Sequence, residues 1–192
     1  MRALVLYAHP CEESFAASLH RAIVETLTAK GWQVDDCDLY AEGFNPVLSA
    51  AERRGYHDTE TNTAPVQAYV GRLMAADAMI LCFPVWNYGY PAILKGFFDR
   101  VFLPGLTFRM ENGRVKPGIL QLKTLITVTT YGGSRLRTFL AGDPPRNLVS
   151  RALWASTGRG RQRYLALHDM NRVTEGQRTA FLTKVRAEIG QL

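Results

Sequence analysis

The sequence predicts an α/β fold in which helices cover both faces of a parallel sheet. Strand-like and helix-like segments alternate five times, a pattern typical of parallel strands joined by crossover helices. Several strand-like segments are apolar throughout, for example AMILCF at residues 78–83, as expected of strands covered on both sides. The chain has 192 residues and no internal repeat or low-complexity linker, so we expect one domain over residues 1–192.

In the first part of the chain, pattern and end signals define each element in turn. Residues 2–8 (RALVLYA) form an apolar run typical of a buried strand. Ser14 can cap the helix that follows, and Gly31 lies just beyond the end of that helix. Residues 33–39 predict a second, more polar strand, and the polar, aperiodic residues 43–63 predict a long excursion with one helical turn.

From residue 65 onwards the alternation is regular. Pro65 is expected to open a helix that ends at Ala75, and the third strand follows at residues 78–83. The remaining predicted elements are a helix at 92–102, a strand at 123–130, a helix at 147–155, a strand at 163–168 and a helix at 174–189.

Right-handed crossovers leave few arrangements for five such strands. The order 2-1-3-4-5 of flavodoxin-like folds accommodates them, as a three-layer sandwich with helices on both faces of the sheet. In such sheets ligands bind beyond the carboxyl ends of the strands, at the switch point between strands 1 and 3. The loops after strands 1, 3 and 4 are therefore the first places to look for a site.

Composition narrows the possible functions. The formal net charge of +6 favours anionic ligands, and phosphorylated cofactors qualify as well as nucleic acids. No run approaches the ~18 apolar residues of a membrane helix, and the N-terminal stretch is interpreted as a strand rather than a signal peptide. Three cysteines without CxxC spacing favour a reducing, cytoplasmic location.

The loop after strand 1, AHPCEESF at residues 8–15, predicts an anion site. Free backbone N–H groups at a helix start, together with the Ser14 hydroxyl and His9, suit a phosphate. The alternative is an ordinary capped helix in which His9 is a turn residue.

The loop after strand 3, PVWNYGYP at residues 84–91, is unusual because it carries three aromatic side chains, Trp86, Tyr88 and Tyr90. Loops are usually polar, and exposed aromatic area calls for a partner. A planar ring system is the preferred interpretation, with core packing and a subunit contact as the alternatives.

The loop after strand 4, TVTTYGGSR at residues 127–135, offers the hydroxyls of Thr129 and Thr130. Its Gly132-Gly133 pair permits close approach of the backbone to a ligand, although a plain glycine turn would look the same. Together the three loops describe a site with a phosphate end and a flat end, which riboflavin phosphate would fit.

These stretches also carry a resemblance to a known family. AHP…SF, FPVWNYGYPAILKGFFDRVF and TTYGGS resemble the flavodoxin-like NAD(P)H:quinone oxidoreductases and their azoreductase relatives, over most of the chain. The resemblance implies a homodimer with FAD or FMN at the subunit interface, NAD(P)H as co-substrate, and a quinone or similar acceptor. The triplet Trp86-Asn87-Tyr88 is nearer to the azoreductases, which favours FMN, with FAD as the alternative.

The resemblance also implies a set of cofactor-binding residues. The implied residues are His9, Ser14, Phe15, Pro84, Val85, Trp86, Asn87, Tyr88, Thr129, Thr130, Tyr131, Gly132 and Gly133. The tyrosine and histidine that mammalian-type quinone reductases place after the Gly-Gly pair are absent here, so the resemblance does not extend to a proton relay or to the preferred acceptor. No catalytic residue is assigned, and Tyr131 is the only candidate named.

Other functions fit the residues less well. A cysteine phosphatase would need an arginine six positions after Cys11, where Ala17 stands. The four histidines lack paired ligand spacing, so no metal site is expected, and residues 4–10 hold no acid for a phosphoacceptor. Nucleic acid is not expected either, because the basic residues Arg146, Arg151, Arg159, Arg161 and Arg163 form no binding motif; a solvated face or a site for the 2′-phosphate of NADPH is preferred.

Two alternatives to an enzyme stay open. One is a flavodoxin-type electron carrier, although such carriers tend to be acidic and this chain is basic. The other is an ancillary, regulatory flavoprotein subunit of a potassium efflux system, which some relatives of this family are.

Overall fold

A parallel sheet of five strands lies at the centre of the computed structural model, which describes residues 1–192. The order of the strands is β2-β1-β3-β6-β7, and every neighbouring pair is parallel. The strands are β1 (Arg2–Tyr7), β2 (Gln33–Asp38), β3 (Ala78–Val85), β6 (Thr124–Tyr131) and β7 (Arg161–Leu167). The predicted α/β fold and the order 2-1-3-4-5 are thereby confirmed, while the extent of the domain stays a prediction.

Helices cover both faces of this sheet. They are α1 (Phe15–Ala29), α2 (Ala50–Arg54), α3 (Gln67–Met74), α4 (Ala92–Val101), α5 (Arg135–Leu140), α6 (Pro144–Asn147), α7 (Trp154–Ser156) and α8 (Glu175–Ile189). A 3₁₀ turn (Ala64–Val66) precedes α3, and a π-helical stretch (Leu148–Leu153) joins α6 to α7. None of the helices is both long and apolar enough to cross a membrane.

The alternation of side chains along β1 divides the core into two layers. Val5 packs in a cluster with residues of α1 and α8, such as Ile23 and Val185. Leu4 belongs to the cluster on the opposite face, with residues of α3 and α4 such as Phe97. Each face of the sheet therefore has its own apolar core.

The segment between α4 and β6 holds a hairpin that the sequence interpretation missed. Strands β4 (Phe108–Glu111) and β5 (Arg114–Pro117) pair antiparallel. Asn112 and Gly113 connect them with positive φ angles of 50° and 72°, and Asn-Gly between two short strands is a strong hairpin signal. The predicted helix at 147–155 also differs, because the helical stretch begins earlier, at Pro144.

Strand β3 is longer than its neighbour β1, and this difference shapes the site. The pairing of β1 with β3 ends at Tyr7 and Cys82, whereas the pairing of β3 with β6 continues to Val85 and Tyr131. Pro84 can lie in this central strand because β1 no longer needs a hydrogen bond from its position. The sheet thus has an open step at the switch point, beside residues 83–85.

Gly96 in α4 can be used to test how tightly the polar segment of residues 43–63 packs against that helix. A Cβ added at Gly96 would lie 2.3 Å from the Pro46 carbonyl oxygen, whereas a Cβ at Gly71 in α3 would meet nothing within 4 Å. Gly96→Ala should therefore lower the free energy of unfolding by about 1–3 kcal/mol through overpacking. Gly71→Ala should raise it by up to about 1 kcal/mol through helix propensity. Urea unfolding measures the free energy of unfolding of both variants. Equal changes in the two variants would contradict the close contact between Gly96 and Pro46.

Candidate functional site

The open step beside the end of β3 forms a cleft of about 230 Å³. Its lining residues come from the ends of β3 and β6, the start of α1 and the loops after β1, β3, β6 and β7. They are His9, Ser14, Phe15, Ala16, Pro84, Val85, Trp86, Thr130, Gly132 and Met170. Eight of the thirteen residues named from the sequence lie among them; Asn87, Tyr88, Thr129, Tyr131 and Gly133 do not.

The first wall of the cleft is the start of α1. Ser14 is the N-cap, and its hydroxyl oxygen accepts a hydrogen bond from the Ala17 N–H at 3.1 Å. The N–H groups of Phe15 and Ala16 find no acceptor in the protein, since their i−4 carbonyls precede the helix and form no bond to them. The Ser14 hydroxyl proton and these two N–H groups are available to an anion at the positive end of the helix dipole.

His9 adds a further donor to this wall. The Cys11 N–H donates to His9 Nδ1 at 3.0 Å, so the neutral imidazole carries its proton on Nε2. The imidazole also contacts the indole of Trp86 edge-on, with ring centroids 5.7 Å apart. His9 thus lies between the free donors at the start of α1 and the indole of Trp86.

The second wall is a tight turn at residues 86–89. Trp86 and Gly89 exchange two backbone hydrogen bonds, of 3.1 and 2.8 Å. Between them, Asn87 and Tyr88 adopt positive φ angles of 48° and 57°. A left-handed conformation costs an L-residue about 1–2 kcal/mol, and a bulky tyrosine is rarely found in it. Such strain, with Trp86 and Tyr88 each about 40% exposed, is typical of a functional loop.

Tyr88 and Tyr90 serve different purposes in this loop. Tyr90 is turned inward, where its hydroxyl donates to the Pro145 carbonyl oxygen and its ring packs on Phe83 and Phe98. Burial raises the pKa of Tyr90 well above its usual value. Tyr88 is exposed instead, and its hydroxyl lies 3.5 Å from the position of a Cβ on Gly133, next to the lining residue Gly132. Core packing, one of the alternatives for the three aromatics, therefore holds for Tyr90.

The third wall is the end of β6. Thr130 and Gly132 line the cleft, and a Cβ added at Gly132 would meet no atom within 4 Å. Thr129 faces elsewhere, because its hydroxyl donates to the Phe83 carbonyl oxygen at 2.7 Å. The open space over Gly132 is where a ligand would pass close to the backbone.

The catalytic candidate Tyr131 is buried and directed away from the cleft. Its hydroxyl donates to Asp143 Oδ1 at 2.7 Å and lies 2.5 Å from the Tyr164 hydroxyl, and its ring stacks on His168. Burial, Tyr164 and Asp143 raise the pKa of Tyr131 far above its usual value, so the hydroxyl stays protonated. In this position it anchors the end of β6 rather than meeting a ligand.

Ala16 and Met170 are lining residues that were not predicted. Met170 is brought to the cleft because its N–H donates to the Tyr131 carbonyl oxygen, while the Asp169 N–H donates to that of Gly133, both at 3.0 Å. Met170 follows β7, so it stands at the same sheet edge as the other loops. No group of three or more His, Cys, Asp or Glu side chains is placed to hold a metal ion.

Comparison with known proteins places the chain in a family. Residues 1–187 match the family model described as a flavodoxin-like fold. The chain is 37% identical to NAD(P)H dehydrogenase [quinone] 1 of Rattus norvegicus over 169 residues, which are 80% of this chain and 61% of the rat protein. The chain thus spans about three fifths of the length of that relative.

Solved structures share the fold over the whole chain. The crystal structure of Smu.1420 from Streptococcus mutans UA159 has a TM-score of 0.88 and 26% identity, with 100% of both chains covered. An FMN-dependent NADH-azoreductase from Bacillus anthracis str. Ames Ancestor, solved in complex with FMN, has a TM-score of 0.77 and 15% identity, with 100% of this chain and 97% of that chain covered. The second likeness shows the fold alone.

Gly132 offers a direct test of the cleft. Gly132→Val should leave the fold intact, because the position is open and its φ is not left-handed, but the side chain would fill the space above β6. We expect loss of flavin binding in a fluorescence titration, with unchanged circular dichroism. Gly71→Val, whose Cβ is equally free of contacts, serves as the control. Flavin affinity equal to that of the unmodified protein would show that the ring does not lie here.

Proposed function

This chain belongs to the family with the flavodoxin-like fold, and we propose that it is a flavin-dependent NAD(P)H oxidoreductase that passes two electrons to a quinone or a similar acceptor. The observation that carries the proposal is the cleft at the switch point, which combines unpaired anion donors with exposed aromatic rings. The rat relative, whose name states a quinone-dependent NAD(P)H dehydrogenase, supports the reaction class.

The residues present fit a flavin at both of its ends. The N–H groups of Phe15 and Ala16 and the Ser14 hydroxyl would hold the phosphate, since they are donors without a protein acceptor. The contact-free space over Gly132 and the exposed face of Trp86 suit a thin, flat ring system. When bound, a flavin supplies the hydride and electron chemistry that no side chain here can perform.

The chain's own part in the reaction is to bind, orient and stabilise charge. Trp86 and Gly132 line the cleft, and we expect the backbone N–H groups of residues 87–88 and 132–133 beside them to donate to negative charge that develops on a ring edge. Trp86 and Tyr88 present flat surfaces against which a nicotinamide or a quinone can stack. A covalent protein intermediate is not part of this mechanism.

The preferred cofactor is FMN. The donor set at α1 suits one terminal phosphate, and the azoreductase of Bacillus anthracis that shares the fold was solved with FMN. FAD is the alternative, because a second cleft of about 430 Å³ adjoins His9 and would give an adenosine half room to extend.

A homodimer belongs to the same proposal. The cleft beside the end of β3, called the flavin cleft from here on, is small compared with ordinary ligand sites of ~300–1,000 Å³. A second copy of this chain could therefore complete it. Leu136, Phe139 and Leu140 on α5 are apolar and mostly exposed, and they lie next to the Gly132-Gly133 loop. We also propose a cytoplasmic location, since all three cysteines are free thiols.

The proposal is tested by anaerobic rapid mixing of the FMN-loaded protein with NADPH or NADH. We expect loss of the visible absorbance of oxidised flavin, and its return when a benzoquinone is added. Trp86→Ala should weaken flavin binding or raise the KM for the quinone by about threefold to tenfold, the value of one aromatic stack. If the bound flavin is reduced by neither nucleotide, the proposed oxidoreductase activity is contradicted and a flavodoxin-type electron carrier is favoured.

A further inference from the structure

A second, basic cleft of about 300 Å³ lies on the other side of the Gly132-Gly133 loop. Arg135 of α5, Arg146 of α6 and Lys184 of α8 line it, so three different helices contribute to it. None of these three cations forms an ion pair in the protein. The one carboxylate that lines the cleft, that of Asp143, accepts a hydrogen bond from Tyr131. With His168 neutral, the lining carries a net charge of +2.

The wall of this cleft also holds buried polar atoms without a partner. Thr138 is 98% buried, and its Oγ1 makes no hydrogen bond in the protein. His168 Nδ1 is likewise buried and unpaired. Buried polar groups without partners cost free energy, and both of these belong to residues that line the basic cleft.

The three cations line one cleft, and the position of one of them is restricted by a neighbouring ring. The Arg146 guanidinium lies over the Tyr164 ring, 5.4 Å from its centroid, which restricts its position. Burial and the nearby Arg135 lower the pKa of His168, which keeps this ring neutral at pH 7. By contrast, Arg161 and Arg163 are paired with Glu188 at 2.9 and 3.0 Å and lie outside the cleft.

Charge and shape together specify the ligand. A phosphomonoester carries about −1.5 to −2 at pH 7, which matches the lining, whereas a phosphodiester carries a single charge. Guanidinium groups recognise phosphate oxygens in bidentate fashion. Phe139, 77% exposed, stands at the rim of the same cleft and offers a flat surface to a purine.

The position of the cleft connects it with the flavin cleft. His168 lines the basic cleft, and Met170, two residues further along, lines the flavin cleft. The Gly132-Gly133 loop separates the two, held by the hydrogen bond from the Asp169 N–H to the Gly133 carbonyl oxygen. A dinucleotide with its nicotinamide at the flavin cleft would extend its phosphorylated ribose past the end of β7 towards the basic cleft.

We propose that this cleft binds the 2′-phosphate of NADPH, with Arg146, Lys184 and Arg135 as the phosphate ligands and Phe139 against the adenine. The inference rests on the proposed function, because it concerns the co-substrate of the same reaction. It makes the protein selective for NADPH over NADH, which lacks that phosphate.

Binding can be tested without any flavin, by isothermal titration calorimetry with 2′-AMP and with adenosine. We expect 2′-AMP to bind more tightly than adenosine, and Arg146→Gln to weaken it by about tenfold or more, as for a lost charge-assisted hydrogen bond. Arg151→Gln is the matched control, since Arg151 is exposed on the adjoining helical stretch and outside the cleft. Equal binding of 2′-AMP and adenosine, or equal effects of the two variants, would overturn the assignment.

Steady-state kinetics of the FMN-loaded protein supply the second arm. The double variant Arg146→Gln/Lys184→Gln should raise the KM for NADPH about tenfold or more and leave the KM for NADH within about twofold. An unchanged NADPH-to-NADH ratio overturns the inference while leaving the oxidoreductase intact. Arg146-dependent binding of inorganic phosphate with that ratio unchanged would assign the cleft to a separate phosphorylated ligand, which also overturns it. Failure of the protein to bind flavin would instead bear on the proposed function.

Discussion

The site depends on one topological constraint, the unequal reach of two neighbouring parallel strands. The chain leaves β1 towards β2 on one side and returns through β3 on the other, so the loops after β1 and β3 diverge. Because β1 stops at Tyr7 while β3 continues to Val85, the backbone at residues 83–85 has no neighbour on one side. The cleft occupies that step, and Pro84 fits there because its missing N–H is not needed.

The rigidity of the surrounding sheet is what allows the strained loops to persist. Thr129 and Tyr131 tie the end of β6 to the core through hydrogen bonds to Phe83, Asp143 and Tyr164. The turn at 86–89 is closed by two backbone hydrogen bonds, which hold Asn87 and Tyr88 in left-handed conformations. These buried contacts offset the local cost of placing aromatic rings and free N–H groups beside the cleft.

Much of this arrangement could be predicted from the sequence, and the differences have physical reasons. Continuous apolar runs identified the central strands, and the order of elements then located the switch point. Side-chain alternation in a strand explains why Thr130 lines the cleft while Thr129 and Tyr131, on the other face of β6, do not. This alternation could have been applied to residues 129–131 from the sequence alone. The prediction instead named all three consecutive residues as cofactor-binding, although neighbours in a strand face opposite sides of the sheet. The hairpin of β4 and β5 could likewise have been predicted from Asn112-Gly113 in the sequence.

Other features need the folded chain. Met170 reaches the cleft through backbone hydrogen bonds between two loops, and no local pattern encodes such a contact. The basic cleft assembles Arg135, Arg146 and Lys184 from three helices, whereas Arg161 and Arg163, which looked equally basic, are neutralised by Glu188. Charge in a sequence predicts a site only when the fold has shown which charges are paired.

The central claim is that the step at the end of β3 is a flavin site, and titration of the purified apoprotein with FMN and, separately, FAD tests it most directly. Quenching of flavin fluorescence should saturate at one flavin per chain, with FMN bound at least as tightly as FAD. Absence of saturable quenching with both flavins would contradict the account, because the open donors of α1 and the space over Gly132 would then serve another ligand.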